Sequence, residues 1–186
     1  MTAITYRTSA RKALGSGLWA LGSPLGVGVV KLVDMPVGVG ALFYEDLELG
    51  RQYGCGSVLI EIDEIKTFAR RYDPQPFHLD EEAARQSVFG ELVASGWMTA
   101  ALTMKLRVEG DLQLQGGWIG LGIDKIVWPK PVRPADVLTA TTEVLEMRES
   151  KTKPEWGVIR LMTRTTNQKG DVVCEVVSNQ LVRRRS

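Results

Sequence analysis

The stretch SGWMTAALTMKLRV, residues 95–108, decides how this chain folds. From Trp97 to Val108, apolar side chains occupy nearly all sides of a helix drawn through it. A helix that is apolar all round is typical of a protein interior. Ser95, a residue type that favours helix N-caps, stands just before the run. We therefore predict one long helix that begins after Ser95 and is buried inside the domain.

The chain changes character after Gly117, where β-branched, partly alternating segments replace the helical spacing. Four strands are predicted, at Trp118–Val127, Val137–Arg148, Trp156–Asn167 and Val172–Arg183. The last two connections contain turn-forming residues and are short enough for antiparallel hairpins. A long helix followed by an antiparallel meander predicts an α+β fold in which a sheet wraps around the helix.

The region before the long helix predicts a strand followed by a helix. Residues 56–62 are rich in β-forming types, and apolar residues then recur at helical spacing from Ile62 to Tyr72. Asp63 is placed to cap that helix. Pro74 ends it, because the residue before a proline avoids the α region.

Residues 1–40 differ in composition from the rest of the chain. They contain seven glycines and no acidic residue before Asp34. We expect a poorly ordered, glycine-rich leader over 1–40 and a single domain over 41–186. Two alternatives stay open for the leader, a signal or transit peptide and a true start at Met35.

Composition indicates an ordinary globular protein of 186 residues, 44% hydrophobic and 24% charged. The net charge of +1 gives no reason to expect a nucleic-acid partner. No uninterrupted apolar run of about 20 residues is present, so neither a transmembrane helix nor a membrane partner is predicted. Two distant cysteines favour a reducing, cytoplasmic location. Arg183–Arg185 are expected to be solvated on a fraying tail.

His78 is the only histidine in the chain, and Asp73 precedes it by five residues. The segment between them is predicted as an extended loop stiffened by Pro74 and Pro76, ahead of a short capped helix at 80–84. A neutral imidazole takes up a proton near neutral pH, and a carboxylate holds a water molecule. The spacing is not specific by itself, because an exposed aspartate near a loop histidine is common. Asp73 and His78 are nevertheless the candidate acid–base pair.

Ser95 and Gly96 form the start of the predicted long helix. The first backbone N–H groups of a helix have no internal acceptor and lie at the positive end of its dipole. Gly96 lacks a Cβ and permits close approach of a ligand. A thioester carbonyl placed there would have its developing oxyanion stabilised, while Ser95 caps the helix. With the acid–base pair, this favours proton chemistry beside a thioester carbonyl.

Other kinds of site are less well supported by the sequence. One histidine with scattered carboxylates gives no recognisable ligand set, so neither a metal nor a cofactor is predicted. Residues 93–97, VASGW, lack the first glycine of a serine-hydrolase elbow. Trp118 and Trp128 alternate with apolar neighbours and are expected in the core.

Three segments of the chain resemble the MaoC-like dehydratases, a family that includes the (R)-specific enoyl-CoA hydratases. They are YDPQPFHLDEEAA at 72–84, FGELVASGW at 89–97 and GWIGLGIDKIVWPKPVRPADVL at 117–138. The resemblance covers roughly residues 44–183. The chain departs from the family motif at Gln75, where Asn is usual, and at Ser95, where His is often found.

The resemblance implies a hotdog fold, in which a curved antiparallel sheet wraps a long helix, and a homodimer. It implies that Asp73 and His78 activate the water that adds to a trans-2-enoyl-CoA, giving a 3-hydroxyacyl-CoA. It also implies that the N–H of Gly96 belongs to the oxyanion hole. Contacts with the acyl-CoA substrate are expected from four further residues: Gln75, Pro76, Phe77 and Ser95.

Two other functions remain open, because a fold does not fix a function. The first is an acyl-CoA thioesterase, which would release a free thiol from a saturated acyl-CoA. The second is a non-catalytic module that binds acyl-CoA or an acyl carrier and forms no product.

Overall fold

The computed structural model describes residues 41–185, so the predicted leader at 1–40 lies outside the described residues. The domain is α+β, with a curved five-stranded antiparallel sheet and one long helix packed on it. In chain order the elements are β1 Gln52–Leu59, α1 Ile62–Tyr72, α2 Pro76–Leu79, α3 Glu81–Arg85, α4 Gly96–Glu109, β2 Ile119–Val127, β3 Val137–Glu149, β4 Trp156–Thr166 and β5 Val172–Arg183.

The sheet has the order β1-β3-β4-β5-β2, with every neighbouring pair antiparallel. The two predicted hairpins, β3–β4 and β4–β5, are confirmed. The meander does not include β2, which pairs with β5 at the far edge. The connection from β2 to β3 contains Pro129, Pro131 and Pro134. Prolines donate no ladder hydrogen bonds, so this segment crosses the domain instead of turning back as a hairpin.

Helix α4 packs one face on the sheet. Met98 and Leu102 are 2% and 8% exposed and belong to the main apolar cluster of the core. The prediction that the helix is buried on all sides is wrong for the single chain. Trp97, Met104 and Val108 are 61%, 36% and 45% exposed, because the sheet covers only the opposite face of the helix.

Helix α1 begins where the spacing predicts, but its cap differs from the prediction. The helix starts at Ile62 after Glu61, and no side chain caps its N-terminus. Asp63 lies inside the first turn, too far along the chain to cap it. The helix ends at Tyr72, as the proline at position 74 requires.

The segment 73–78 is extended only in its first half. Pro76 begins the one-turn helix α2, so the prediction of an extended loop up to His78 is wrong. Proline favours the first helical position, because the missing N–H has no acceptor there in any case. The next short helix is capped as predicted, since Asp80 accepts a hydrogen bond from the backbone N–H of Ala83.

Arg184 and Arg185 are ion-paired, which corrects the prediction of a solvated tail for these two, whereas Arg183 is exposed as predicted. Arg184 contacts Glu45 at 3.1 Å and Glu149 at 3.0 Å. Arg185 contacts Asp46 at 2.7 Å. The acidic turn before β1 therefore lies beside the end of β5.

Cys55 and Cys174 are both buried, and both are free thiols. Within residues 41–185, no helix is both long enough and apolar enough to cross a membrane.

Candidate active site

A cavity of about 480 Å³ lies beside the N-terminus of α4. Its walls come from α2, from the start of α4 and from the segment that follows β2. The lining residues are Asp73, Gln75, Phe77, His78, Phe89, Val93, Ala94, Gly96, Trp97, Thr99, Trp128, Pro129, Lys130, Pro131 and Val132.

The acid–base candidates converge on this cavity. Asp73 directly follows the last residue of α1, and His78 lies on α2, with two prolines restricting the backbone between them. His78 is 4% exposed, and its Nε2 lies 3.4 Å from Oδ2 of Asp73. The two side chains that the sequence singles out therefore lie together, and the imidazole is carried by a helical turn that the sequence did not predict.

The backbone fixes the tautomer of His78. Its Nδ1 lies 2.7 Å from the carbonyl oxygen of Val93. A carbonyl oxygen can only accept, so Nδ1 carries the hydrogen and donates it. In the neutral ring, Nε2 then has a free lone pair on the side of Asp73. Nε2 of His78 and Oδ2 of Asp73 are then two acceptors 3.4 Å apart, and one water molecule can donate a hydrogen bond to each of them.

Both carboxylate oxygens of Asp73 accept hydrogen bonds. The Oγ–H of Ser95 donates to Oδ2 at 2.6 Å, and Nε2 of Gln75 donates to Oδ1 at 2.8 Å. The pKa of Asp73 is lowered, first by the bond from Ser95 and then, against some desolvation, by Gln75 and His78. Hydrogen bonds to the charged form favour it, so Asp73 is a carboxylate near neutral pH.

The N-terminus of α4 presents a backbone donor to the same space. Ser95 caps the helix by accepting from the N–H of Trp97 at 3.2 Å. Within the described part of the chain, the N–H of Gly96 has no acceptor. Gly96 also lines the cavity, so its N–H can bind an oxygen that enters. A carbonyl bound there would face the positive end of the helix dipole.

The cavity brings together Asp73, His78, Gly96, Gln75 and Phe77. The other two predicted substrate contacts, Pro76 and Ser95, are not among the lining residues. Pro76 begins α2, and Ser95 is 1% exposed with its hydroxyl bonded to Asp73.

One wall of the cavity was not predicted from the sequence. Trp128, predicted in the core, is 38% exposed and lines the cavity together with the next four residues. Its neighbour Trp97, predicted on a buried helix face, lines the cavity as well. The prolines that follow Trp128 could have predicted this wall, because they stiffen the segment that leaves the strand. Trp118, in contrast, packs against the core as predicted.

Among residues 41–185, no three His, Cys, Asp or Glu side chains are close enough to hold a metal ion together.

Residues 48–165 match the model of the MaoC like domain family. A curated relative, the uncharacterized protein YdeM of Bacillus subtilis, is 31% identical over 140 residues, which are 75% of this chain and 98% of YdeM.

Solved structures of a MaoC-like dehydratase and of (R)-hydratases are also similar to this chain. The MaoC-like dehydratase of Rhodospirillum rubrum is 46% identical, with a TM-score of 0.76, over 78% of this chain and 99% of that one. The unliganded R-hydratase PhaJ1 of Pseudomonas aeruginosa is 26% identical, with a TM-score of 0.63, over 78% and 88%. The (R)-hydratase of A. caviae involved in PHA biosynthesis is 27% identical, with a TM-score of 0.58, over 76% and 99%.

Proposed function

Because this chain belongs to the MaoC-like dehydratase family, we propose that it catalyses the reversible addition of water to a trans-2-enoyl-CoA. The product of the forward reaction is a 3-hydroxyacyl-CoA. One observation carries the proposal: Nε2 of His78, the carboxylate of Asp73 and the free N–H of Gly96 belong to residues that line a single cavity.

The hydration step follows from the protonation states of the pair. A water molecule donates one hydrogen bond to the carboxylate of Asp73 and the other to Nε2 of His78. The imidazole takes a proton as the water oxygen bonds to C3 of the enoyl group. The electron pair of the C2–C3 double bond moves toward the thioester, and its carbonyl oxygen becomes an oxyanion.

The oxyanion is stabilised by the N–H of Gly96 at the positive end of α4. The electron pair then returns to C2, which takes the proton held by the imidazolium. One water molecule has been added, and both side chains regain their starting protonation states. Dehydration is the same path in reverse.

Four residues in and behind the cavity wall are assigned positioning roles. Ser95 and Gln75 hold the two oxygens of Asp73, which fixes the carboxylate and keeps it ionised. His78 is therefore the base, and Asp73 orients the water. Pro76 sets the start of α2 and so the position of the imidazole. Phe77 packs edge-on against His78, with ring centroids 4.5 Å apart.

The test is hydration of enoyl-CoAs, followed by the loss of enoyl-thioester absorbance. Asp73→Asn and His78→Ala should each lower kcat/KM by roughly 10²–10⁴. The matched control Asp63→Asn changes an exposed carboxyl of α1 and should leave turnover unchanged. Full turnover in both pair variants would eliminate the proposed mechanism.

Two further measurements separate the alternative functions. A thioesterase would release free thiol from a saturated acyl-CoA. A binding module would show saturable acyl-CoA binding with neither product.

We also propose that the working unit is a homodimer formed through β2. This strand is a sheet edge, where unpaired N–H and C=O groups invite another strand. Leu121 and Ile123 on β2 are 53% and 60% exposed, and the apolar stripe of α4 that includes Trp97 and Met104 is exposed too. A second copy that pairs its own β2 at this edge would cover these side chains by a twofold axis.

Light scattering at micromolar concentration tests the dimer. The wild-type chain is expected at twice the monomer mass, and Ile123→Glu at the monomer mass. The matched control Val88→Glu alters a 97% exposed valine on a loop and should stay dimeric. A monomeric wild type contradicts the proposal.

The proposed location is a reducing compartment such as the cytoplasm. Buried free thiols at both cysteines and a CoA thioester substrate are compatible with it.

A further inference from the structure

The described residues that line the cavity differ in exposure, and this difference locates its opening. Five of them are buried: His78, Val93, Ala94, Thr99 and Val132. Five others are exposed: Gln75, Trp97, Trp128, Pro129 and Lys130. A residue that lines a cavity and also reaches solvent lies at its opening. Three of these five are consecutive, so the segment that leaves β2 forms much of the rim.

Lys130 is the one lysine or arginine among the described residues that line the cavity. Its side chain is 55% exposed, and its ammonium group forms an ion pair with Asp171 in the turn between β4 and β5. An ammonium group on a flexible four-carbon stem is a common ligand for phosphate. The rim therefore carries a positive charge on a side chain that can move.

The ion pair between Lys130 and Asp171 is easily exchanged. The side chain of Asp171 is 31% exposed, and ion pairs at the surface contribute little to stability. The turn has hydrogen bonds of its own. Nδ2 of Asn167 donates to the carboxylate of Asp171 at 3.4 Å, and the N–H of Asp171 donates to Oδ1 of Asn167 at 3.0 Å. Lys130 can therefore turn to another anion while Asp171 keeps a partner.

A thioester substrate brings such an anion to the opening. The acid–base pair and the N–H of Gly96 would act on the acyl group inside the cavity, next to the buried ring of His78. The pantetheine arm on the thioester sulfur must then lead outward past the rim. In CoA and in the phosphopantetheine group of an acyl carrier, this arm ends in phosphate. Phosphate charges are costly to remove from water, so they stay on the solvent side of the rim, where Lys130 is exposed.

We infer that Lys130 leaves Asp171 to bind a phosphate of the pantetheine arm, and that this contact makes the site selective for phosphorylated thioesters. The inference rests on the proposed hydration of an enoyl thioester and adds how the carrier of the acyl group is recognised. The phosphate is common to CoA and to phosphopantetheine, so both sources enter the test.

A purely structural role for Lys130 predicts a different result. The ion pair would then hold the rim segment against the β4–β5 turn, and the loss of either partner would loosen the rim for every thioester. A phosphate contact needs Lys130 but not Asp171. Because removal of the carboxylate frees the ammonium group, Asp171→Asn should leave the affinity for a phosphorylated substrate unchanged or improve it.

The experiment measures kcat and KM at low ionic strength for crotonyl-CoA, crotonyl-phosphopantetheine and crotonyl-pantetheine, the last of which has no phosphate. Lys130→Met should raise the KM for crotonyl-CoA. The ratio of kcat/KM for crotonyl-CoA to that for crotonyl-pantetheine should fall roughly three- to fivefold, as expected for an exposed charge pair. The drop should fade as salt is added. Asp171→Asn should not lower this ratio.

The matched control is Lys153→Met, which changes an exposed lysine in the turn between β3 and β4, at the other end of the sheet, and should keep the wild-type ratio. An unchanged ratio in Lys130→Met, or an equal drop in Asp171→Asn, overturns the inference. A drop with crotonyl-phosphopantetheine as well as with crotonyl-CoA assigns the contact to the phosphate that CoA shares with acyl carriers. A drop with crotonyl-CoA alone assigns it to one of the other CoA phosphates.

A binding measurement separates this inference from the proposed function. Calorimetric titration with butyryl-CoA and butyryl-pantetheine requires no chemistry. If nothing is hydrated but Lys130→Met selectively weakens the binding of butyryl-CoA, the hydratase proposal fails and the role of Lys130 stands. If crotonyl-CoA is hydrated with an unchanged ratio in Lys130→Met, the hydratase proposal stands and the inference fails. If no thioester is bound or hydrated, both are wrong.

Discussion

The two ends of helix α4 both carry buried polar groups, but only the N-terminal end lines the cavity of the candidate active site. At the N-terminus, Ser95 is hydrogen-bonded to Asp73, and Gly96, whose N–H has no acceptor among residues 41–185, lines the same cavity as His78. At the C-terminus, Arg107 is 4% exposed, and no residue of that end lines the cavity.

At the C-terminal end, packed side chains cover the charged group of Arg107. The guanidinium of Arg107 lies 4.5 Å from the ring centroid of Trp118, and its Nη2 donates to Ser178 at 3.2 Å. Within residues 41–185 no carboxylate pairs with it. Buried polarity therefore does not by itself indicate a site. Unused hydrogen-bonding capacity is not enough either, because Nε of Arg107 is buried without a partner in the described part of the chain. What distinguishes the N-terminal end is that Asp73, His78 and Gly96 line a cavity.

The comparison predicts that changes at the N-terminal end alter activity far more than stability. Gly96→Ala is the strongest case, because its Cβ would meet the Trp128 indole at 3.0 Å. Either the ring or the start of α4 must shift by a few tenths of an ångström, which displaces the N–H from the carbonyl, so kcat/KM should fall roughly 10²–10³-fold. The loss should shrink in a Trp128→Leu background. Gly120→Ala, whose new Cβ has only an ordinary contact at 3.7 Å, is the control.

Ser95→Ala should have the next largest effect. It removes the bond that contributes most to the lowered pKa of Asp73, together with the cap of α4. We expect kcat/KM to fall roughly 10–100-fold, and the free energy of unfolding to fall by about 1 kcal/mol.

The dependence of kcat/KM on pH tests whether Ser95→Ala raises the pKa of Asp73. Asp73 must be ionised, and without Ser95 its pKa rises, so the variant should lose activity at a higher pH than the wild type as the solution is acidified. Ser95→Thr keeps a hydroxyl and should restore the wild-type profile. An identical acid limb in the alanine variant would show that Ser95 does not act through Asp73.

Gln75→Ala should give a smaller change of the same kind. Its bond to Asp73 is exposed and ranks below that of Ser95 among the causes of the lowered pKa. A loss of about two- to fivefold in kcat/KM is expected, with a smaller shift of the acid limb in the same direction. A loss larger than that of Ser95→Ala would mean that the amide of Gln75, and not the hydroxyl of Ser95, is the main support of the carboxylate.

Local signals in the sequence are enough to predict most elements of the fold. Strand β5 has its predicted bounds, and Pro74 and Gly96 locate the ends of the helices that carry the site. These features depend on residues close together in the chain, through periodicity and through backbone restrictions. Asp73 and His78 can be singled out as candidates for the same reason, since both lie within one short segment.

The missed features depend on contacts between distant segments. No local pattern reveals that β2 pairs with β5, or that Trp128 lies against Gly96. The apolar stripe of α4 is predicted as buried because periodicity reports which residues are apolar, not what covers them. The hydrogen bond from Ser95 to Asp73 joins residues 22 positions apart, and no local signal predicts it.

The C-terminal end of α4 gives the last prediction, an effect on stability with none on activity. Burial lowers the pKa of Arg107 to about 10, well below the ordinary value of a guanidinium. Below pH 10 the guanidinium is charged in both the folded and unfolded states, so its desolvation costs the folded state about 3 kcal/mol. As the pH rises above about 10, the folded state releases the proton before the unfolded state does, and the cost disappears.

Arg107→Met should therefore raise the free energy of unfolding at pH 7 by about 1–2 kcal/mol, after the lost contacts with Trp118 and Ser178 are subtracted. Urea unfolding at one fixed protein concentration measures this, with kcat/KM expected at the wild-type value. Arg51→Met is the matched control, because Arg51 is exposed and lies 5.1 Å from the ring of Tyr53. It should change stability by less than about 0.5 kcal/mol. A destabilised Arg107→Met would mean that the buried charge has a compensating partner, and that the two ends of α4 are more alike than their packing indicates.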